Sequence, residues 1–556
     1  MTTRMHTRFC LAMALLAGAL AWAPDAALAQ EKSAPSIASR VHSAAQGTYA
    51  VVAFHDVADR VQDLDADAIT TDRLIAFFDW LRGNGWTPVS LDDIAAAQSG
   101  LRPLPAKPIL LTFDDGYASL YSRVFPLVLA YRYPIVSALV GNWMEVPAGG
   151  MVQYGDVRVP RERFVSWDQA REMQASGLVE FASHSFNLHE GVRANPQGTT
   201  LPSAVALRYF DNRATETPEE LQARIRSDLE QSRTVMQRAL GKAPRALVWP
   251  FGRYNSAGLA AAREAGFVFA MSLEPAIGEL AQPMAIARYW PSHNPTLADL
   301  VSNIAFRPSL PAAQRLVCVN PAHLWNADPA IFDANLGRAI ERMRTLGATT
   351  AVIDAASRNA QGQLDGLWFP SGVLPVRANA LTRIAWQLRT RAGVEAVVRL
   401  PRADVVRAAG SEVAAARVYE ELGLQMPWDG FFATTDGTSQ GNAVVRQDFD
   451  RVARGNPELR LIVLNHGNTG TPTADLTLYP AAMLAGRVDT AQARTVGIWL
   501  EHNGPVSARD LTETTIDFQT RGGTAIGWCP DDPLKDLPNA AMVAPAVSAS
   551  TYPVKF

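Results

Sequence analysis

Short apolar runs alternate along this chain with longer stretches whose apolar positions recur every three or four residues. The runs predict buried strands and the stretches amphipathic helices. Strand candidates come in the order "TYAVVAFHDV", "KPILLTFDDG", "YPIVSALVG", "LVEFASHS", "ALVWPFG" and "FVFAMSL". Between them lie helix candidates. "TDRLIAFFDWLRGNG" is closed by Asn84-Gly85, "YSRVFPLVLAYRY" follows, and "SWDQAREMQASG" starts on Ser166 as N-cap. "TPEELQARIRSDLEQSRTVMQRALG" opens on a Thr cap with Pro at its first position. Strands alternating with helices imply a parallel sheet, most simply a barrel.

After the Pro-rich "FRPSLPAA" the alternation restarts. Eight further strand candidates follow: "RLVCVN", "TTAVIDA", "VEAVVRL", "GFFATT", "LRLIVLN", "DLTLYP", "VGIWLE" and "GTAIGWC". They fit a second, (β/α)₈-like barrel, so the fold class is α/β with two barrel domains. The expected division is a signal peptide over 1–29, a flexible lead-in over 30–47, a first domain over 48–306, and a linker over 307–313. The second barrel then spans 314–538, and a poorly ordered tail covers 539–556.

Composition narrows the class. With 48% hydrophobic and 19% charged residues, 556 residues supply ample core material for several domains. A formal net charge of −3 argues against nucleic acid as a partner. Arg4 and Arg8 precede "CLAMALLAGALAWA", and Ala27-Leu28-Ala29 supplies small residues for cleavage before Gln30. That is a secretory pattern, too short for a span of roughly 20 residues, with no lipoprotein cysteine at the cleavage site. Export to the periplasm is the expectation. Cys318 and Cys529 remain after cleavage, near the ends of the first and eighth strands of the second barrel. Those strands are neighbours in a closed barrel. The pair either forms a disulfide across the closure or is two thiols pointing to opposite faces.

Candidate chemistry gathers at the C-terminal ends of the first set of strands, where parallel barrels place their active sites. Asp114 and Asp115 end one strand, His55 another and His184 a third; His189 follows five residues later. Five helical steps would separate two side chains by roughly 140°, so a loop must bring these histidines together. Two His and one carboxylate make a site for a divalent metal, which polarises a carbonyl and activates water. Taken singly, "DDG" is an ordinary turn signal, His55 an ordinary buried histidine and "WPFG" a strand ending in a turn. Their joint placement at different strand ends is what points to a site.

"FHDV", "TFDDG", "SHSFNLH" and "WPFGRYN" together resemble the motifs of the NodB-type polysaccharide deacetylases, in particular the PgaB/HmsF-type poly-β-1,6-N-acetyl-D-glucosamine N-deacetylases. The His-Asp motif at His55 precedes "TFDDG", and the histidine motif has one extra residue, as in that branch. Leu367 to Val394 resembles its C-terminal glycosidase-like domain. The resemblance implies a distorted (β/α)₇ first barrel and a metal-dependent hydrolase acting on an exported biofilm polymer. It implies Asp115, His184 and His189 as metal ligands, Asp114 as general base and His55 as general acid. The backbone at Tyr117 would be an oxyanion donor, and Trp249, Phe251 and Arg288 would contact substrate. The ion would be Zn, Ni, Co or Fe, and an outer-membrane export porin is the implied partner.

The second barrel departs from this pattern. The family ends the first strand on aspartates spaced by one residue; here Asn320 and Ala322 stand there. An acidic pair usual on the fourth strand is replaced by Thr435 and Asp436, and the stretch between strands three and four is shortened. Asp436 and Glu501 remain as candidate carboxylates, and the expected role is glycan binding or scaffolding, not hydrolysis. Two other functions compete with the main one. One is deacetylation of peptidoglycan or a chitin-like glycan; the other is a non-catalytic polysaccharide-binding export protein.

Overall fold

The computed structural model describes residues 47–60, 67–212, 214–274, 276–304, 313–467, 473–484, 495–502 and 504–549. The signal peptide, nearly all of the lead-in and linker, and the last seven residues of the tail lie outside them.

The first domain is built on six parallel strands that lie side by side in chain order: β1 (Thr48–Phe54), β2 (Pro108–Phe113), β3 (Ile135–Leu139), β4 (Val179–Ser183), β5 (Ala246–Val248) and β6 (Phe269–Met271). Nearly every position in them is buried, which is why they are apolar runs without alternation. A seventh, irregular segment closes the ring. Ile286 exchanges backbone bonds with Ala270 and Ser272, and Tyr289 with Val51 and Ala53. This matches the expected distorted seven-membered barrel.

The helices stop and start where their caps require. Helix Pro218–Leu240 begins on a Thr217–Glu220 capping box and ends on Gly241, whose left-handed φ of 77° lets its N–H reach the Gln237 carbonyl. Ser166 and Gln169 form a second capping box before Trp167–Ala175.

The second domain is a closed barrel of eight parallel strands: β7 (Gln314–Val319), β8 (Thr350–Asp354), β9 (Glu395–Arg399), β10 (Gly430–Thr435), β11 (Arg460–Asn465), β12 (Leu476–Pro480), β13 (Val496–Glu501) and β14 (Ala525–Cys529). All eight strands foreseen from the apolar runs are present. β7 pairs with β14 in a register that sets Val317 against Trp528, so Cys318 falls opposite Cys529. Both point into the barrel, and they form a disulfide with Cα atoms 5.0 Å apart. The tail differs from expectation. Residues Ala540–Val547 form a helix whose Val543 and Val547 are fully buried beside helix Ala508–Thr520, so the barrel's helical layer extends past residue 538. Two apolar residues four apart suffice to dock one turn-pair of helix despite Pro545. No described helix is long and apolar enough to cross a membrane.

Candidate active site

Side chains alternate along β2, so Leu110, Thr112 and Asp114 share the face toward the barrel axis. Leu110 lies in the interior cluster, and Asp114 follows two steps beyond Thr112 at the mouth. Asp114 anchors its own turn by donating its backbone N–H to the Phe54 carbonyl at 2.8 Å. The next two residues both take left-handed backbone, Asp115 at φ 68° and Gly116 at φ 69°. Asp tolerates that region better than most residues, and Gly116 adopts it without strain, with Leu139 Cδ2 2.5 Å from where a Cβ would stand. This double turn separates the two carboxylates.

Asp114 faces Arg288. The guanidinium donates to both carboxylate oxygens at 2.8 Å, to the Thr112 hydroxyl at 2.9 Å and to the Ser272 carbonyl at 2.8 Å, and it is wholly buried. Burial alone would raise the Asp114 carboxyl, but the Arg288 charge and hydrogen bonds, with His184 and His55 nearby, hold it below the usual range. His55 Nε2 lies 3.9 Å from Asp114 Oδ2.

Asp115 faces the histidines. Its Oδ1 lies 3.4 Å from His184 Nε2 and 3.2 Å from His189 Nε2, and ligating atoms of the three residues lie within 4.8 Å of one another. A tight loop brings the histidines together. Ser185 is left-handed at φ 68°, and the Asp228 carboxylate accepts the N–H groups of Phe186 and Asn187 at 2.8 and 2.7 Å. His184 Nδ1 lies 2.8 Å from the Val248 carbonyl, which directs Nε2 toward Asp115. Burial pushes the Asp115 carboxyl up, yet the flanking imidazoles outweigh it and hold it well below the usual range.

These residues fit a divalent ion. Asp115 Oδ1 is buried without a hydrogen bond, and the two Nε2 atoms converge on the same point. A buried, unsatisfied carboxylate oxygen between two imidazoles is costly unless a cation joins them.

Two assigned substrate contacts are corrected. Trp249 is 1% exposed, stacked on Tyr254 among Leu188, Leu221 and Ile225, so it is core. Arg288 is sealed behind Asp114 and serves to hold it. Phe251 does stand at the mouth, 42% exposed, with its ring centroid 4.6 Å from that of His189. Tyr117 is buried; its hydroxyl donates to Tyr154 Oη at 2.7 Å.

Two residues were missed. Trp290, 36% exposed, stands 5.9 Å from the His55 ring, on the segment that closes the barrel. Tyr154 donates to Asp115 Oδ2 at 3.2 Å from the hairpin Met151–Tyr154/Val157–Pro160. Gly155-Asp156 between alternating residues was the available hairpin signal.

At the second barrel's mouth neither candidate carboxylate is free. Glu501 accepts from Arg399 at 2.8 Å and from the Trp499 indole at 3.1 Å. Asp436 accepts from the backbone and hydroxyl of Thr438 at the start of helix Ser439–Val452.

Residues 102–270 match the polysaccharide deacetylase family model, and residues 319–402 match a hypothetical glycosyl hydrolase family 13. A curated poly-β-1,6-N-acetyl-D-glucosamine N-deacetylase from Escherichia coli (strain K12) is 35% identical over 355 residues, 64% of this chain and 53% of the relative. The chain therefore matches about half the length of that relative. Among solved structures, a de-N-acetylase from Aggregatibacter actinomycetemcomitans is 37% identical, covering 46% of this chain and 99% of its own, with a TM-score of 0.44. The BpsB deacetylase domain from Bordetella bronchiseptica is 41% identical, covering 44% and 96%, with a TM-score of 0.41.

Proposed function

Since this chain belongs to the polysaccharide deacetylase family, with a glycosidase-like barrel behind the deacetylase domain, we propose that it removes N-acetyl groups from exported poly-β-1,6-N-acetyl-D-glucosamine as a metal-dependent hydrolase. The observation that carries this reading is the separation of Asp114 from Asp115, one clamped by Arg288 and the other turned to two histidines.

Asp115, His184 and His189 would hold one divalent ion, with Zn, Ni, Co and Fe all compatible with this donor set. Such an ion polarises the amide carbonyl and makes water more acidic. Asp114 accepts the proton of the attacking water. Its bidentate hold by Arg288 fixes the acceptor's direction and keeps it ionised, at some loss of basicity. His55, beside Asp114, donates a proton to the departing amine as the C–N bond breaks. The Tyr117 backbone N–H is the proposed donor to the carbonyl oxygen. Phe251 and Trp290 offer exposed ring faces on the two sides of the mouth for sugar rings.

The leader pattern of residues 4–29 supports a periplasmic location, and the Cys318–Cys529 disulfide suits that oxidising compartment. The modified polymer would then pass to an export porin. Acetate release from β-1,6- and β-1,4-linked N-acetylglucosamine pentamers tests the substrate. Release from the β-1,6 series is expected to exceed that from the β-1,4 series. The reverse order would point to a chitin-like or peptidoglycan substrate, and no release from either to a binding protein.

A further inference from the structure

The loop Trp249–Asn255 and the strand residue before it touch both histidines of the site. The strand residue before it, Val248, receives His184 Nδ1 on its carbonyl. Its middle, Phe251, is held at φ 57° and packs on His189. A non-glycine residue in left-handed backbone persists only where its surroundings fix it. Gly252 supplies part of that hold by pressing on Leu273, where a Cβ would come within 2.4 Å.

The far end of the loop is held by the second barrel. Tyr254 donates its hydroxyl to Glu458 Oε1 at 3.0 Å, and Ser256 donates its N–H to the Arg454 carbonyl at 2.8 Å. Glu458 is itself fixed. Its N–H binds Asn456 Oδ1 at 3.1 Å, and buried Asn456 donates to the Trp428 carbonyl at 2.8 Å. Tyr254 stacks on Trp249 at 5.8 Å and 13°, so the pull of Glu458 passes through a packed aromatic pair to the loop's first residue.

We propose that the second barrel acts on the first site as a brace, with Glu458 and Tyr254 as positioning residues that set Phe251 and the two histidines. This gives the second barrel a task in deacetylation that requires no catalytic carboxylates at its own mouth. It rests on the function proposed above for its activity readout alone.

Two measurements on the full-length chain test it. Hydrogen exchange in Tyr254→Phe and Glu458→Ala should quicken in residues 249–256 and also in 184–189. Exchange that is unchanged, or quickened only at 254–256, would overturn the brace whether or not the protein deacetylates. Tyr254→Phe keeps the ring and its stacking, so it decides the matter if Glu458→Ala folds poorly. Acetate release from the β-1,6-linked pentamer should fall roughly threefold to tenfold in kcat/KM for each variant, with metal content unchanged. In a Phe251→Ala background the Tyr254→Phe change should have no further effect, whereas a purely structural loss would add. Full additivity would overturn the mechanism. A wild-type chain that releases no acetate would refute the functional reading, leaving exchange to decide the brace.

Discussion

At the mouth of the first barrel, Asp115 turns an unsatisfied oxygen toward two imidazoles; at the mouth of the second, Asp354 and Glu501 flank the guanidinium of Arg399. That guanidinium also lies 3.8 Å from both sulfurs of the disulfide, so an ion-paired group and a covalent link occupy this mouth. Both mouths carry acids at strand ends. Among the described residues, only the first leaves ligating atoms converging without partners. Placement at a strand end is thus permissive, and the pattern of unsatisfied donors and acceptors distinguishes a reactive mouth from a structural one.

The contrast can be tested hardest at Asp114. Asp114→Asn keeps the shape but cannot take a proton, so turnover should drop about 10²- to 10⁴-fold while the metal is retained. Near-normal acetate release would remove Asp114 as the base and make the two mouths more alike than argued.

How much of this was visible in the one-dimensional pattern depends on what each feature requires. The fourteen strands that form the two barrels announced themselves as apolar runs, because strands buried on both faces admit little else. The helix caps were equally plain, since Ser166 and Thr217 act on neighbours three residues away. The segment Ile286–Tyr289 was not, because its pairing with β1 and β6 is made by backbone groups that any residue supplies. The direction of side chains was also hidden. "WPFG" holds two aromatic residues, and only the left-handed Phe251 sends the second to the mouth while Trp249 enters the core. Arg288 could be tied to the site by the family resemblance but not to Asp114, which lies 174 residues earlier.

The loop carrying the histidines offers the next test. Burial pushes Asp228, which accepts the Phe186 and Asn187 N–H groups, up to about 6. The folded state therefore holds this proton more tightly than the unfolded chain. Its contribution to stability falls as pH rises from about 4 to about 6, by roughly 1–3 kcal/mol for a half-buried group. Urea unfolding of Asp228→Asn should lose that slope relative to the wild type; an unchanged pH dependence would show that Asp228 titrates normally.

A smaller effect belongs to Tyr154, which steadies Asp115 through its second oxygen. Tyr154→Phe should weaken metal affinity about tenfold, as read by chelator competition, with the fold intact. Unaltered affinity would mean that His184 and His189 suffice to orient Asp115. The smallest effect is expected across the molecule. Glu501→Gln should leave deacetylation unchanged, since Glu501 answers Arg399 and Trp499 at the other mouth.

Calorimetric titration of the metal-free chain with Zn²⁺ tests the difference between the two mouths most directly. One ion per chain should bind, Asp115→Ala should abolish binding, and Glu501→Gln should bind as the wild type does. Binding that survives Asp115→Ala, or that falls with Glu501→Gln, would contradict the assignment of the metal to the first mouth alone.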